Sequence, residues 1–211
     1  MVARLPLVVP LVAGAAFVVL LLLVATGWPP LERVDATTSE ALRSYGADRS
    51  GLIAVLRVAT DIAATWAYLL TGVVVTLGLL VRRHRRPALF CAVVTAVVPL
   101  LWGLAHWLLH RPRPVDGFVV VDSNGFPSGH TSNAAAAALV AVLLLWPRLG
   151  PAGRAVTVAV AVGVAGFVAA TRFMLLAHWP TDVLGGWLLA LTVVPLAAHA
   201  VTRRRPPAPL R

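Results

Sequence analysis

The sequence predicts an all-α, polytopic membrane protein in which six transmembrane helices form a bundle. Three observations carry that expectation. Hydrophobic residues make up 59% of the 211 residues and charged residues only 12%, a balance that ordinary water-soluble domains do not show. Six apolar stretches recur along the chain, at 5–25, 52–81, 88–109, 131–146, 155–176 and 181–201, most of them near the ~20 residues a helix needs to cross the hydrocarbon core. The connections between them alternate in charge, as the loops of a membrane protein do. No internal repeat or linker interrupts the pattern, so residues 1–211 read as a single membrane-embedded domain.

The first stretch, 5–25, follows Arg4 and has two readings, a signal peptide or an anchor. Its apolar run exceeds the ~7–15 residues of a signal sequence, and no small-x-small cleavage pattern precedes Gly27, so an anchor is expected. Residues 26–51 then form an outer loop. The second stretch, 52–81, carries Arg57 and Asp61 four residues apart, the spacing of an ion pair on one helix face. A basic loop, 82–87, leads to the third stretch, 88–109, and a polar loop, 110–130, to the short, alanine-rich fourth. The fifth and sixth are joined by 177–180, and Pro206, Pro207 and Pro209 end the last helix in a short tail. Cys91 lies inside an apolar run and reads as a small buried hydrophobe, so no disulfide framework exists.

All eighteen basic residues are arginine, and their placement sets the orientation. Eleven lie in the loops 82–87 and 147–154 and at the two termini, including Arg82, Arg83, Arg85, Arg86, Arg148, Arg154 and Arg203–Arg205. The opposite side holds seven, with all eight acidic residues. An arginine excess marks the cytoplasmic face, which predicts cytoplasmic termini in a multi-pass plasma-membrane protein. The net charge of +10 is thereby accounted for by topology. Aromatic residues do not interleave with the arginines, and no nucleic-acid partner is expected.

Three polar clusters fall on the outer side, at the membrane–water interface. The first runs from His106 to Arg111-Pro112-Arg113-Pro114, the second is Pro127-Ser128-Gly129-His130, and the third is Thr171-Arg172, then His178, then Asp182. Phosphoryl transfer without a metal needs positive groups around the equatorial oxygens, a nucleophile on one axial side and a proton donor on the other. Arg113 and Arg172 offer forked contacts to phosphate oxygens. Ser128 and Gly129 precede a helix whose first N–H groups lack intrahelical partners, and Gly129 leaves room for an oxygen to approach the backbone. Asp182 lies four residues after His178, so a helix starting near Pro180 turns the carboxylate toward the imidazole. No carboxylate or histidine cluster outside these three suggests a divalent metal site or other cofactor.

These clusters resemble the three signature motifs of the type 2 phosphatidic acid phosphatase family, whose superfamily includes the vanadium haloperoxidases. The second motif, Pro-Ser-Gly-His, is matched in full, and the third in spacing and in every residue but one. The resemblance covers 52–201, with the motifs themselves within 106–182. It implies that His178 is the nucleophile forming a phosphohistidine, Asp182 its orienting partner and His130 the general acid. It assigns Arg113, Arg172, Ser128 and Gly129 to phosphate binding. Thr171 stands where the family has serine and keeps the hydroxyl, so its phosphate contact is expected to survive. His106 stands where the family has lysine, exchanging a permanent charge for one that titrates near pH 6.5.

The function expected is hydrolysis of a membrane lipid phosphate monoester or diphosphate, such as phosphatidate, phosphatidylglycerol phosphate or a polyprenyl diphosphate. A lipid-binding or scaffold protein weakened in catalysis by the exchange at His106 is the alternative. Vanadate-dependent halide oxidation fits poorly with a small chain of six membrane segments, and transport of a polyprenyl carrier is left open.

Overall fold

In the computed structural model, which describes residues 1–61 and 64–202, every regular element is helical. The helices are α1 (Val8–Ala25), α2 (Pro29–Ala47), α3 (Ser50–Thr60), α4 (Thr65–Val81), α5 (Arg85–Leu109), α6 (Gly129–Leu145), α7 (Pro151–Met174) and α8 (Pro180–Thr202), with a 3₁₀ turn at Trp146–Arg148 after α6. Proline opens α2, α7 and α8, at positions where its missing N–H costs nothing and its fixed φ suits a helix. Six candidate spans are long and apolar enough to cross a membrane, with α3 and α4 together making the second.

The bundle is organised around α8, which packs on α1, α5 and α6, while α7 packs on α6 and α4 on α5. Phe90, Val94 and Val98 of α5, Ala136 and Leu143 of α6, and Ala190, Val194 and Ala198 of α8 form its interior. Many large apolar side chains face outward instead, among them Leu11 and Leu22 on α1, Leu70 and Leu77 on α4, and Val156 and Val160 on α7. Such continuous apolar surface would be a liability in water and is what lipid tails require.

Three features depart from the sequence expectation. Residues 26–51, read as an outer loop, contain α2. That helix packs on α7 and α8 and buries Asp35, Ser39 and Gly46 along one stripe, so its buried face is polar or small and leaves no apolar periodicity to detect. The stretch 52–81 is not one continuous helix: α3 ends at Thr60 and α4 begins at Thr65 after an extended Ala64. Arg57, expected to pair with Asp61, donates to the Phe118 carbonyl. The proline tail and Arg203–Arg205 lie outside the described residues.

The N-terminal segment and the end of α8 meet at one end of the bundle. The Ala3 N–H donates to the Leu143 carbonyl (2.9 Å), His199 Nε2 to the Leu5 carbonyl (2.8 Å), and Arg4 to the Thr202 carbonyl. The three polar clusters occupy the other end.

Contact between α6 and α8 depends on glycine. A Cβ on Gly186 would stand 2.9 Å from the Ser128 carbonyl oxygen and 3.1 Å from the Ser132 nitrogen, both backbone atoms of the α6 N-terminus. Gly186→Ala is therefore expected to lose about 1–3 kcal/mol of stability, the usual cost of overpacking, and to reduce activity by pushing α6 outward. Gly78→Ala, whose Cβ meets nothing within 4 Å, serves as the comparison and should be neutral or slightly stabilising. Thermal unfolding in detergent reads both, and equal melting temperatures would overturn the account of close helix approach.

Candidate active site

The α6 N-terminus is built by its cap. Ser128 is extended and completely buried, and its Oγ accepts from the Thr131 N–H (3.4 Å) and hydroxyl (3.0 Å), satisfying one of the orphan donors of the first turn. The Ser128 N–H donates to the Asp182 backbone carbonyl at 2.9 Å, which fixes the start of α6 against the start of α8. Ser128 thus acts first as a cap, with its own hydroxyl proton still available. Where an approach of substrate to Gly129 was expected, the space beside its Cα is filled by the Trp102 indole, 3.2 Å from a Cβ built there. His130 sits in the first turn of α6, partly exposed, with Arg172, Arg113 and His178 as its charged neighbours.

His178 lies in the short turn between α7 and α8 and is 2% exposed. Its Nε2 is 2.9 Å from Arg113 Nη1. A guanidinium only donates, so Nε2 must accept, and the ring proton must sit on Nδ1. Nδ1 faces Asp182 Oδ2 at 3.5 Å, too long for a strong hydrogen bond, and the Gly125 backbone carbonyl is a further acceptor beside the ring. The contact orients the ring without closing a full hydrogen bond. Burial holds the His178 imidazole well below its ordinary pKa, and the charges of Arg113, Arg172 and His106 push the same way. The residue is neutral at pH 7 with the Nε2 lone pair intact.

Arg113 is the clamp. It donates through Nε to the Ser123 carbonyl (2.6 Å), through Nη2 to Ser123 Oγ (2.9 Å) and the Asn124 carbonyl (3.0 Å), and through Nη1 to His178 and the Ala177 carbonyl. Burial lowers its pKa, with Asp182 opposing. Arg172, 3% exposed, donates through Nη1 to Thr60 Oγ1 at 2.9 Å, and its Nε has no partner among the described residues. Thr171 departs from expectation. Its hydroxyl donates to the Val168 carbonyl (2.6 Å), which can only accept, so the Thr60 hydroxyl donates to Thr171 Oγ1 (3.0 Å). Thr171 therefore supports Arg172 through Thr60 and does not present its hydroxyl to the site.

His106 lies on α5 with Nε2 2.8 Å from the Pro127 carbonyl, to which it must donate, and its ring against Trp102. It braces the peptide that leads into Ser128. Asn124 donates to the His106 carbonyl at 2.7 Å, tying the loop to the same helix end. Sequence reasoning left three participants without a role: Thr60, which holds Arg172; Arg111, named only as part of the first cluster; and Asp35. Arg111 Nη1 donates to Asp182 Oδ1 and Nη2 to Asp35 Oδ2 at 2.6 Å. Among the described residues no group of three or more His, Cys, Asp or Glu is placed to hold a metal ion.

Comparison with known proteins gives consistent matches. A family model for the PAP2 superfamily matches residues 87–206. A 78-residue segment is 41% identical to phosphatidylglycerophosphatase B of Escherichia coli K12, and equally to that of Shigella flexneri. That segment is 37% of this chain and 29% of those proteins, so the match spans under a third of the length of these curated relatives. Over the whole fold, the crystal structure of a transmembrane PAP2-type phosphatidylglycerolphosphate phosphatase from Bacillus subtilis superposes with a TM-score of 0.80 at 26% identity, covering 91% of this chain and 95% of that one.

Proposed function

The chain belongs to the PAP2 superfamily, and from that premise we propose that it is a membrane lipid phosphatase acting through a phosphohistidine on His178. The observation that carries the reading is the His178 ring: proton on Nδ1 toward Asp182, lone pair on Nε2 toward Arg113. In the first step Nε2 attacks phosphorus, the P–N bond forms, the P–O ester bond breaks, and His130 gives its proton to the departing alkoxide. In the second, His130 takes a proton from water, water attacks phosphorus, the P–N bond breaks, and inorganic phosphate leaves. Arg113 and Arg172 neutralise the equatorial oxygens. For Arg113 this means exchanging its bond to Nε2 for bonds to phosphate as phosphorus enters. Gly129 and His130 supply backbone N–H groups at a helix N-terminus.

The relatives point to phosphatidylglycerol phosphate as the first substrate to try, ahead of phosphatidate and polyprenyl diphosphates. Guanidinium groups supply the positive charge that a metal would otherwise supply, so the reaction is proposed to be metal-independent. The arginine asymmetry supports a site opening extracytoplasmically, with the termini in the cytoplasm. A bonding partner for His106 other than substrate is already present, so the exchange from lysine removes a charge without leaving a void. This favours an active enzyme over a lipid-binding or scaffold protein.

One assay tests these points together. Purified protein should release phosphate from phosphatidylglycerol phosphate faster than from the other lipids, with chelator present, and vanadate should inhibit as a mimic of the five-coordinate state. Intact cells should hydrolyse an impermeant phosphate ester added outside. Loss of activity in chelator, restored by magnesium, would overturn the metal-free mechanism, and hydrolysis only after lysis would invert the orientation.

A further inference from the structure

We infer that Asp35 of α2 and Arg111 form a positioning relay that aims the Asp182 carboxylate at His178, making the outer helix α2 part of the catalytic apparatus. The inference rests on the phosphohistidine reading above. Arg111 is shared between two carboxylates that water barely reaches: Asp35 is 2% exposed and Asp182 0%. Its Nη1 also donates to Thr181 Oγ1 at 2.8 Å. Asp35 in turn accepts from the Thr181 N–H (3.1 Å) and hydroxyl (2.6 Å), so it caps the start of α8 immediately before Asp182. Asp35 and Thr181 are 146 residues apart in sequence.

This arrangement does more than close a gap. Asp182 has two oxygens with separate duties: Oδ1 is gripped by Arg111, and Oδ2 accepts from the Trp179 N–H (3.0 Å) and faces His178 Nδ1. With Oδ1 held, the carboxylate plane has one orientation. Without Arg111 only the bond from the Trp179 N–H to Oδ2 restrains it, and the imidazole's partner on Nδ1 is held less well. A forked, planar guanidinium bridges both acids at once, which the point charge of lysine does not do. Arg111 touches neither His178 nor the position where phosphate enters, so it is a positioning residue acting through Asp182.

Charge gives a second readout. His178 is faced by Arg113 from the loop before α6, by Arg172 from α7, by His106 from α5, by His130 from α6 and by Asp182 from α8. Arg111→Gln leaves the Asp182 charge unbalanced beside the ring, which favours the protonated imidazolium. Attack needs the neutral ring, so the acid limb of kcat moves to higher pH.

The experiment measures kcat, KM for dispersed lipid and the kcat–pH profile for Arg111→Gln, Arg111→Lys and Asp35→Asn, with His178→Ala alongside and detergent melting curves for each. Arg111→Gln should lower kcat by up to about 10²-fold, the scale of a misplaced catalytic group, with KM unchanged and the acid limb shifted upward. Arg111→Lys should recover part of the rate, and the near-isosteric Asp35→Asn should lose least. If His178→Ala is inactive yet all three keep wild-type kcat and pH profile per folded protein, with at most a lower melting temperature, the relay is only structural and the inference fails alone. If His178→Ala keeps wild-type turnover, the phosphohistidine reading fails first. Should Arg111→Gln not fold, Arg111→Lys and Asp35→Asn decide on the same readouts.

Discussion

His178→Ala is expected to abolish phosphate release, by at least about 10⁴-fold, the scale seen when a nucleophile is removed. Among the described residues no other side chain brings a neutral nitrogen, a carboxylate partner and an arginine donor to one buried point. The loss should come without unfolding, since His178 contributes one hydrogen bond from Arg113, whose other contacts to Ser123, Asn124 and Ala177 remain. The pH dependence of the wild-type protein sharpens the test. With the imidazole held well below its ordinary pKa by burial and by the surrounding positive groups, protonation of the nucleophile should not limit turnover near neutrality. Its acid limb should lie well below pH 6.5, the ordinary histidine value. Phosphate release and incorporation of labelled phosphate into protein, each compared with His178→Ala, check the assignment. Wild-type turnover by the variant would end the phosphohistidine proposal.

What the sequence made legible was local in nature. Spans of apolar residues, Pro180 at a helix start and the i, i+4 spacing of His178 and Asp182 are all short-range signals, and each has its counterpart in the helices α1, α4–α8 and in the turn before α8. The unread parts depend on partners distant in the chain. In the Arg-Pro-Arg-Pro run the motif resemblance picks out Arg113 and gives Arg111 no role, and only folding supplies one by placing Arg111 on Asp35 and Asp182 while Arg113 meets His178. The Thr171 hydroxyl donates to the Val168 carbonyl and accepts from Thr60, 111 residues earlier. Helix α2 escaped notice because the face it buries is Asp35, Ser39 and Gly46, a stripe recognised by charge pairing and close contact and not by hydropathy. Gly129 matched its motif position, yet the neighbour that requires its lack of a side chain is Trp102.

His130→Ala is expected to cost roughly 10²–10⁴-fold on a lipid substrate, the usual worth of a general acid. The argument turns on the leaving group. A glycerol or prenyl alkoxide is strongly basic and departs slowly unless it is protonated as the P–O bond breaks. In the proposed mechanism His130, in the first turn of α6 with Arg172, Arg113 and His178 around it, is the proton source. A p-nitrophenolate leaves without help, so the first phosphoryl transfer to His178 should be nearly restored on p-nitrophenyl phosphate. The second transfer still needs a base to activate water, a role the proposed mechanism gives to the same His130. The variant should therefore release a rapid burst of p-nitrophenol, stoichiometric with protein, followed by slow turnover as phosphoenzyme accumulates. Wild-type protein should show no such burst if hydrolysis of the phosphoenzyme keeps pace. An equal loss on both substrates with no burst would mean that His130 does not transfer the proton, and would leave its place at the α6 N-terminus to explain by phosphate binding alone.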